Sequence, residues 1–483
     1  MAKTLNVLFV AAEADPFIKV GGLGDVAGSL PRALRALQPE ETGGIKLDVR
    51  LVLPLHNVLR NEVSSLRPVA NYSLPRSGAD KPVQAFETQL EGMPVYFISG
   101  ESIAASGSVY SNNSVLDGEK YTFFSLAALG LPHQISWHPD VIHANDWHTA
   151  LAVYAMLGKR WNGEFEGTAS LLTLHNLPFM GSDINQLMSE YGLPELQTEL
   201  PDWARILPLP LGLWAADGIV PVSPTYAKEV MDADYGCGLE NFLHARSQSI
   251  TGILNGIDTE SFNPATDESL ISHFDAKNLS PREANKISLR KQLGLSQEPG
   301  LPLLAVISRM DRQKGIDLAI QALRKIADRP WQAVVLGTGD LKLEEAAQRL
   351  QADLPERVRA ELRYDSVLAR RIYAGADMLL MPSRYEPCGL AQMIAMRYGC
   401  IPVVRATGGL NDTVQAGETG FTFEKASARA LIKALRKALE IFPDREAWQQ
   451  MQLRGMAQDY SWANSARQYA LEYQRVIERV RPS

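Results

Sequence analysis

The chain has 483 residues, of which 46% are hydrophobic and 21% charged, a composition that is typical of a folded globular protein and excludes a disordered or fibrous one. At about 150 residues per domain, this length predicts two or three domains and excludes a single small binding module. Lys and Arg number 48 against 55 Asp and Glu, and the resulting net charge of −7 argues against a general nucleic-acid-binding protein.

Short β-branched apolar runs alternate with longer helical patterns along the whole chain, which is typical of βαβ units on a parallel sheet. In the first half, strands are predicted at residues 6–10, 48–53, 95–98, 141–143, 170–174 and 218–222. In the second half, they are predicted at residues 303–307, 332–336, 378–381 and 401–404. Turn-forming and charged residues dominate positions 255–300 between the halves, and a last helix is predicted over residues 462–480. The pattern predicts an α/β protein with two doubly wound domains.

The cysteine content and the apolar runs bear on the cellular location. Cys237, Cys388 and Cys400 form no CxxC pair, so we expect neither a disulfide framework nor a thiolate zinc site. The apolar run at residues 7–12 is too short for a signal peptide, and no segment reaches the roughly 18 apolar residues that a membrane span requires. A soluble cytoplasmic protein without a membrane partner is therefore expected.

Ligands of open α/β sheets bind beyond the carboxyl ends of the strands, which directs attention to the loops that follow them. The first such loop carries Lys19, Gly21 and Gly22 and leads into a helical pattern. Glycines let the backbone approach a phosphate, the helix N-terminus offers free N–H groups, and Lys19 adds a positive charge. The loop matches neither the GxGxxG dinucleotide fingerprint nor a P-loop, and a purely structural turn is an equal alternative.

The second half places charged residues after two of its predicted strands and glycines after a third. Arg309 and Lys314 follow residues 303–307 and could hold a diphosphate, although a solvated loop is the alternative. Glu386 follows residues 378–381 and could bind sugar hydroxyls. Gly408 and Gly409 follow residues 401–404 and could form a second N–H cradle for phosphate.

In the first half, Asn145, Asp146 and Trp147 follow one predicted strand and His175 follows the next. Their polar groups suit a polyhydroxylated ligand, and Trp147 offers a face on which a sugar could stack. An Asp-x-Asp sequence at residues 232–234 could hold a cation, but it follows a helical pattern and is interpreted as a polar loop.

A zinc site built on His143 and His148 is disfavoured. The i and i+5 spacing puts the two rings on different faces of a helix, and no complete ligand set accompanies them. No metal site is therefore predicted.

Together these motifs resemble the bacterial glycogen synthase and plant starch synthase family of retaining glucosyltransferases. The resemblance extends over nearly the whole chain, through residues 19–25, 143–148, 173–176, 255–258, 308–315, 336–340, 383–390 and 407–414. It implies the GT-B architecture, with two Rossmann-like domains facing a deep cleft. The domains implied are residues 1–250, which would bind the acceptor and be completed by a C-terminal helix at 461–483, and residues 255–460, which would bind the nucleotide-sugar donor.

The resemblance also implies the reaction. Glucose would pass from ADP-glucose to the non-reducing end of an α-1,4-glucan such as glycogen with retention of configuration, forming an α-1,4 bond and releasing ADP. No cofactor, nucleic acid or metal is implied, and the oligomeric state is left open.

Site residues follow by motif position. The catalytic residues implied are Glu386, His175, Arg309 and Lys314. The ADP-glucose-binding residues implied are Lys19, Gly21, Gly22, Asp25, Asn255, Arg309, Lys314, Tyr364, Gly408 and Gly409. The glucan-binding residues expected are Asn145, Asp146 and Trp147. One departure is Ala406, where many relatives carry Arg, so a basic side chain is missing there.

Several alternatives stay open. Glu386 could be a covalent nucleophile, or it could hold sugar hydroxyls while the acceptor attacks from the leaving-group face, and we favour the second. Another nucleotide-sugar glucosyltransferase, such as a UDP-glucose user or a sucrose-type synthase, is the nearest alternative function. A catalytically inactive glucan-binding relative is disfavoured, because unneutralised cations without a ligand would cost stability. A nucleotide-dependent oxidoreductase would need a GxGxxG motif after a strand, and none is apparent.

Overall fold

A computed structural model describes residues 3–59 and 66–481. The chain divides into two compact units. Unit 1 comprises Met1–Gly256 and Trp462–Ser483, and unit 2 comprises Ile257–Ser461.

Within the described residues, unit 1 is built on an eight-stranded sheet in the order β3-β4-β5-β2-β1-β6-β7-β8. Its strands are β1 (Lys3–Val10), β2 (Ile45–Pro54), β3 (Arg67–Leu74), β4 (Lys81–Leu90), β5 (Met93–Ser99), β6 (Val141–Asn145), β7 (Ala169–Leu174) and β8 (Gly218–Pro221). The β3–β4 and β4–β5 pairs are antiparallel, and the other pairs are parallel. The strand order reverses on either side of β1, as a doubly wound sheet requires.

The helices of unit 1 connect these strands, and the last one arrives from the C-terminus. They are α1 (Gly22–Ala36), α2 (Glu101–Ala104), α3 (Ser114–Gln134), α4 (Trp147–Trp161), α5 (Asn185–Glu190), α6 (Pro208–Ala215), α7 (Pro224–Glu229), α8 (Glu240–Ala245) and the C-terminal α17 (Trp462–Val480). Every residue of β6 and of β7 is buried. Helices cover both faces of the central strands, which explains why these strands are continuous apolar runs in the sequence.

Unit 2 contains a six-stranded, all-parallel sheet in the order β11-β10-β9-β12-β13-β14. Its strands are β9 (Leu303–Ile307), β10 (Gln332–Leu336), β11 (Val358–Glu361), β12 (Met378–Met381), β13 (Ile401–Arg405) and β14 (Phe421–Phe423). Its helices are α9 (Arg282–Gln292), α10 (Ile316–Lys325), α11 (Leu341–Asp353), α12 (Ser366–Gly375), α13 (Ala391–Arg397), α14 (Gly408–Thr413), α15 (Ala428–Ile441) and α16 (Arg445–Met456). The strand order again reverses beside β9, so both units are doubly wound, as predicted.

The structure contains four strands that the apolar pattern did not predict: β3, β4, β11 and β14. Three of them, β3, β11 and β14, are edge strands. β3 is largely exposed or half-buried, so it lacks the apolar run that marks a central strand. Residues 232–234 form a turn, in agreement with the polar loop predicted there. None of the helices in the described ranges is long and apolar enough to cross a membrane.

Candidate functional site

The carboxyl ends of β1, β6 and β7 are neighbours in the sheet of unit 1, because β6 pairs with β1 on one side and with β7 on the other. The chain leaves these strands through three loops at the same sheet edge. At this edge lie the glycine loop before α1, residues 145–147 where β6 passes into α4, and His175 after β7. Most of the residues predicted in the first half are thus collected at one edge.

The glycine loop is folded around a carboxylate that the sequence analysis did not single out. The backbone N–H groups of Val20 and Gly21 donate to the Glu13 carboxylate, which also accepts the hydroxyl hydrogen of Tyr110 at 3.0 Å. Glu13 is 1% exposed, and burial raises the pKa of its carboxyl. Lys19 forms an ion pair with Asp25 at 2.5 Å across the start of α1. In the sequence, Glu13 belongs to no motif and is marked only by its place after a predicted strand.

Gly21 was expected to offer its N–H group to a donor phosphate. In the structure this N–H group points to Glu13, with nitrogen to oxygen distances of 3.2 Å to both carboxylate oxygens. Gly22 begins α1 and has no atom within 4 Å of the position that a Cβ would take. Of the two glycines, Gly22 therefore has the open side.

Asp146 is buried at the start of α4, in a backbone conformation with φ +54° that few non-glycine residues adopt. Its carboxylate accepts the backbone N–H groups of His175 at 2.7 Å and Asn176 at 3.3 Å. Burial raises the pKa of Asp146 to about 7, outweighing these two hydrogen bonds, which lower it. Asp146 therefore ties the β6 loop to the β7 loop.

Asn145 was expected to be one of the glucan-binding residues. Its side chain is fully buried, its Nδ2 donates to the Val10 carbonyl at 3.0 Å, and its Oδ1 lies 3.0 Å from His175 Nε2. Both ends of the amide are thus engaged inside the protein, because β6 is a central strand covered on both faces. Asn145 instead orients the His175 ring. Burial lowers the pKa of His175 to about 3, which keeps this ring neutral.

Two further residues of unit 1 show accessible or unpaired groups. Trp147 is half-buried, packed edge-on against Tyr121 and tilted against His148. Asn255 is buried and its Oδ1 has no hydrogen-bond partner among the described residues. A buried amide oxygen without a partner is costly, so Asn255 has a polar group available for a ligand.

The two histidines of the disfavoured zinc site are buried, and their rings hydrogen-bond or pack with neighbouring side chains. His143 is buried between Thr173 and Tyr473, with its ring nitrogens 2.7 Å and 2.8 Å from their hydroxyl oxygens. His148 is buried against Tyr110, Tyr121 and Trp147. Across residues 3–59 and 66–481, no group of three His, Cys, Asp or Glu side chains could hold a metal ion.

In unit 2, the side chains of Lys314 and Glu386 meet. Lys314 Nζ lies 2.7 Å from each oxygen of the Glu386 carboxylate, and Ser383 Oγ donates to the same carboxylate at 3.0 Å. Glu386 follows β12 and Lys314 follows β9, and these strands are neighbours in the sheet. The two residues are 72 positions apart in the sequence, and they meet because their strands are neighbours in the sheet.

Local structure fixes the Lys314 loop. The backbone N–H of Lys314 donates to Asp311 Oδ1 at 2.9 Å, and Gly315 then turns the chain into α10 with φ +69°. A Cβ on Gly315 would lie 2.1 Å from the Pro382 carbonyl oxygen, so only glycine fits at this point. Arg309 stays 64% exposed, with Asp311 at 3.4 Å. Its guanidinium is accessible to an anion from solvent.

Gly408 and Gly409 bring two loops into contact. A Cβ on Gly408 would lie 1.9 Å from the Glu386 carbonyl oxygen, and one on Gly409 would lie 2.1 Å from that of Cys388. The N–H of Gly409 donates to the carbonyls of Glu386 and Pro387 at 3.2 Å each. Because neither residue has a side chain, the two loops can approach each other and the Gly409 N–H can hold the Glu386 loop in place. To bind phosphate, this N–H would have to leave its two carbonyl acceptors.

Tyr364 is the last of the predicted donor-binding residues, and the three cysteines are described with it. Tyr364 lies between β11 and α12 and is 82% exposed, which leaves its ring accessible. Cys388 and Cys400 are buried and Cys237 is exposed, and all three are free cysteines. Cys388 is thus a small buried residue next to the Glu386 loop.

Two doubly wound sheets with polar groups at the carboxyl ends of their strands are the architecture of the GT-B glycosyltransferases, and the comparisons with solved structures identify this fold. A sucrose-phosphate synthase from Thermosynechococcus elongatus shares this fold, with a TM-score of 0.62, 19% identity and coverage of 98% of each chain. Residues 6–245 match the starch synthase catalytic domain family, and residues 288–452 match the glycosyl transferases group 1 family.

Two relatives are similar over essentially the full length. A glycogen synthase from Syntrophotalea carbinolica is 39% identical over 489 aligned residues, covering 98% of this chain and 99% of the relative. The catalytic domain of starch synthase IV from Arabidopsis thaliana, solved with ADP and acarbose bound, has a TM-score of 0.88 and 34% identity and covers 99% and 100% of the two chains. The chain belongs to the glycogen and starch synthase family of glycosyltransferases.

Proposed function

We propose that the protein transfers glucose from ADP-glucose to the non-reducing end of an α-1,4-glucan, with retention of configuration and release of ADP. The observation that carries the proposal is the Lys314–Glu386 contact, which places a cation and a carboxylate at adjacent strand ends. The relatives named as glycogen synthases support the polymer product, and the ADP and acarbose in the Arabidopsis enzyme support the nucleotide and the glucan.

Cleavage of the bond between glucose C1 and the diphosphate moves negative charge onto the leaving phosphate. Arg309 and Lys314 are the groups in unit 2 that would stabilise this charge. The planar guanidinium of Arg309 suits two phosphate oxygens, and Lys314 acts as a point charge. In unit 1, Lys19 is assigned by its motif to the donor phosphates, and its side chain forms an ion pair with Asp25.

The same bond cleavage gives the glucose ring oxocarbenium-like positive charge. The Glu386 carboxylate would hold the sugar hydroxyls and counter this charge while the acceptor attacks from the face that the phosphate leaves. This role is favoured over covalent attack, because both Glu386 oxygens are held by Lys314 and one also by Ser383. Trapping of a glucosyl-enzyme at Glu386 would contradict it.

The acceptor is assigned to unit 1. Trp147 offers a half-exposed ring to the glucan. His175 keeps its catalytic assignment near the donor sugar, where its neutral ring offers a hydrogen-bonding group without a charge that would oppose the cationic sugar. Asp146 and Asn145 would act by fixing the loops that carry these two side chains. Asn255 and Tyr364 remain assigned to the donor, the first for its unpaired amide oxygen and the second for its exposed ring.

The direct test supplies ADP-glucose and UDP-glucose in turn, with glycogen as acceptor, and follows release of the nucleotide. We expect ADP release and growth of α-1,4-linked chains that an α-1,4-specific exo-amylase removes. Preferred use of UDP-glucose would favour the nearest alternative transferase. Binding of glycogen without nucleotide release from either donor would point to an inactive glucan-binding relative.

We also propose a cytoplasmic location. The three cysteines are free and one of them is exposed, which supports a reducing compartment. Fractionation of the native cells with detection of the protein tests this.

A further inference from the structure

The Glu13 carboxylate is a buried anion enclosed by the loop that carries Lys19. It is 1% exposed, and within the described ranges no Lys, Arg or His forms an ion pair with it. A buried carboxylate without a cation costs free energy unless hydrogen bonds offset its lost hydration. The donors that offset this cost are the backbone N–H groups of Val20 and Gly21 and the hydroxyl of Tyr110.

The loop is packed tightly around this carboxylate. A Cβ on Gly24 would lie 3.3 Å from Glu13 Oε2 and 3.1 Å from Lys19 Cγ, so a side chain there would force these neighbours to shift by a few tenths of an ångström. The N–H groups that donate to this anion belong to the two residues directly after Lys19. The position of Lys19 therefore depends on Glu13 through the backbone of its neighbours.

We propose that Glu13 is a positioning residue, which holds residues 19–24 in the conformation that presents Lys19 to the phosphates of the sugar donor. The inference rests on the proposed function, because it assigns Lys19 to that donor. It also removes the Gly21 N–H from the groups that contact phosphate and gives that N–H a structural partner inside unit 1.

The test compares Glu13→Gln with the unaltered protein. The amide keeps the size of the side chain but replaces one acceptor oxygen by a donor, which cannot accept the loop N–H groups. We expect the KM for ADP-glucose to rise about tenfold, in the range of a lost hydrogen bond to a charged group, while the KM for glycogen stays within about twofold. Tyr110→Phe, which removes one neutral donor, should shift the same KM by a smaller factor.

Two controls separate positioning from a general loss of structure. Glu472→Gln changes another fully buried glutamate of unit 1, on α17, and should leave the KM for ADP-glucose unchanged. In a Lys19→Ala background, Glu13→Gln should have little further effect on that KM, because Glu13 acts through Lys19. Full additivity of the two changes, or an unaltered KM in Glu13→Gln and Tyr110→Phe, would overturn the proposal.

Hydrogen exchange keeps the two proposals distinguishable. In Glu13→Gln, but not in Glu472→Gln, the N–H groups of Val20 and Gly21 should exchange faster. If the unaltered protein releases no nucleotide, the proposed function fails, and this exchange result still decides whether Glu13 holds the loop. Unchanged exchange would refute the role of Glu13 even in an active enzyme.

Discussion

Lys314 and Glu386 form an ion pair, with Nζ 2.7 Å from both carboxylate oxygens. A diphosphate that enters beside this pair meets a cation already fixed in place, and a fixed charge needs no reorganisation during the reaction. The chemistry of the site therefore depends on the two residues together.

Removal of either donor-site cation should slow the reaction. We expect Lys314→Ala and Arg309→Ala each to lower kcat about 100-fold or more, the usual effect of losing one preorganised electrostatic group. Arg312→Ala is the matched control, because it removes an exposed cation from the same loop. Steady-state kinetics with saturating ADP-glucose and glycogen measure the effect, and near-normal turnover in both variants would refute the assignment.

Because of Asp146, the free energy of unfolding of unit 1 should depend on pH. Its pKa is raised from 3.8 to about 7 by burial, so between these values the folded protein keeps a proton that the unfolded chain releases. The free energy of unfolding should therefore fall as the pH rises through this window, by at most about 1.4 kcal/mol per pH unit, and level off above about pH 7.

Asp146→Asn lacks this titration and isolates it from the other buried groups. Denaturant unfolding of both proteins at several pH values between about 5 and 8 should show the stability of the unaltered protein declining relative to the variant until Asp146 has lost its proton. Parallel curves would show that Asp146 is already ionised at the lowest of these pH values.

At the scale of residues, the sequence patterns predicted where the site residues lie along the chain better than which residues their side chains contact. Each of the residues Lys19, Lys314, Glu386 and His175 lies in the loop that follows a strand, as the sequence predicted. Asn145 was assigned to the ligand, but it is the last residue of β6 and its amide points into the protein. Glu13 was missed because a single acidic residue after a strand has no signature of its own, and its role depends on a loop that returns to it.

At the scale of elements, the turn between β9 and α10 depends on Gly315. Its φ of +69° disfavours any side chain, and a Cβ would lie 2.1 Å from the Pro382 carbonyl oxygen. This glycine lets the loop after β9 approach the loop after β12, which carries Glu386. The contact between Lys314 and Glu386 follows from that approach.

Gly315→Ala should therefore both destabilise unit 2 and displace Lys314. We expect a loss of about 2 kcal/mol or more in the free energy of unfolding, together with a fall in kcat. Gly417→Ala is the control, because Gly417 has a similar φ of +80° but no atom within 4 Å of the position that a Cβ would take. It should cost about 1 kcal/mol at most and leave kcat unchanged. Equal effects in thermal unfolding and in kinetics would show that backbone strain alone matters.

Central elements were predictable and peripheral ones less so. β6, β7, β9 and β12 are buried on both faces, and their apolar runs mark them in the sequence. β3 and β11 lie at sheet edges, where part of each strand meets solvent and polar residues are tolerated. The pairing of an edge strand is decided by its neighbour more than by its own residues.

At the scale of the whole molecule, unit 1 is assembled from two separate stretches of the chain. The helix α17 belongs to unit 1, and its Tyr469 and Tyr473 are buried in a core shared with β1, β2 and β6. Tyr473 also shares a hydrogen bond with His143 of β6 at 2.8 Å. The last helix is thus part of the folding core of unit 1.

Truncation of Tyr473 should weaken unit 1 selectively. We expect Tyr473→Ala to lower the free energy of unfolding by about 3–5 kcal/mol, as for other large buried aromatic side chains. Leu471→Ala, on the same helix but 52% exposed, should change it by less than about 1 kcal/mol. Hydrogen exchange should report lost protection in β1, β6 and β7 with β9 and β12 unchanged, and equal protection in both variants would argue against this role.

The sequence by itself determined the two doubly wound sheets, the last helix and most of the strand-end residues, because hydrophobic periodicity and strand-end loops are local properties of the chain. The tertiary structure alone decided which of these residues meet. Lys314 contacts Glu386 because β9 and β12 are neighbours, and Glu13 is enclosed because the glycine loop folds back onto the end of β1. Asn145, the last residue of β6, and Asp146, which follows it, are buried because β6 is covered on both faces. Contacts between distant positions arise from strand order and burial, which no local pattern of residues specifies.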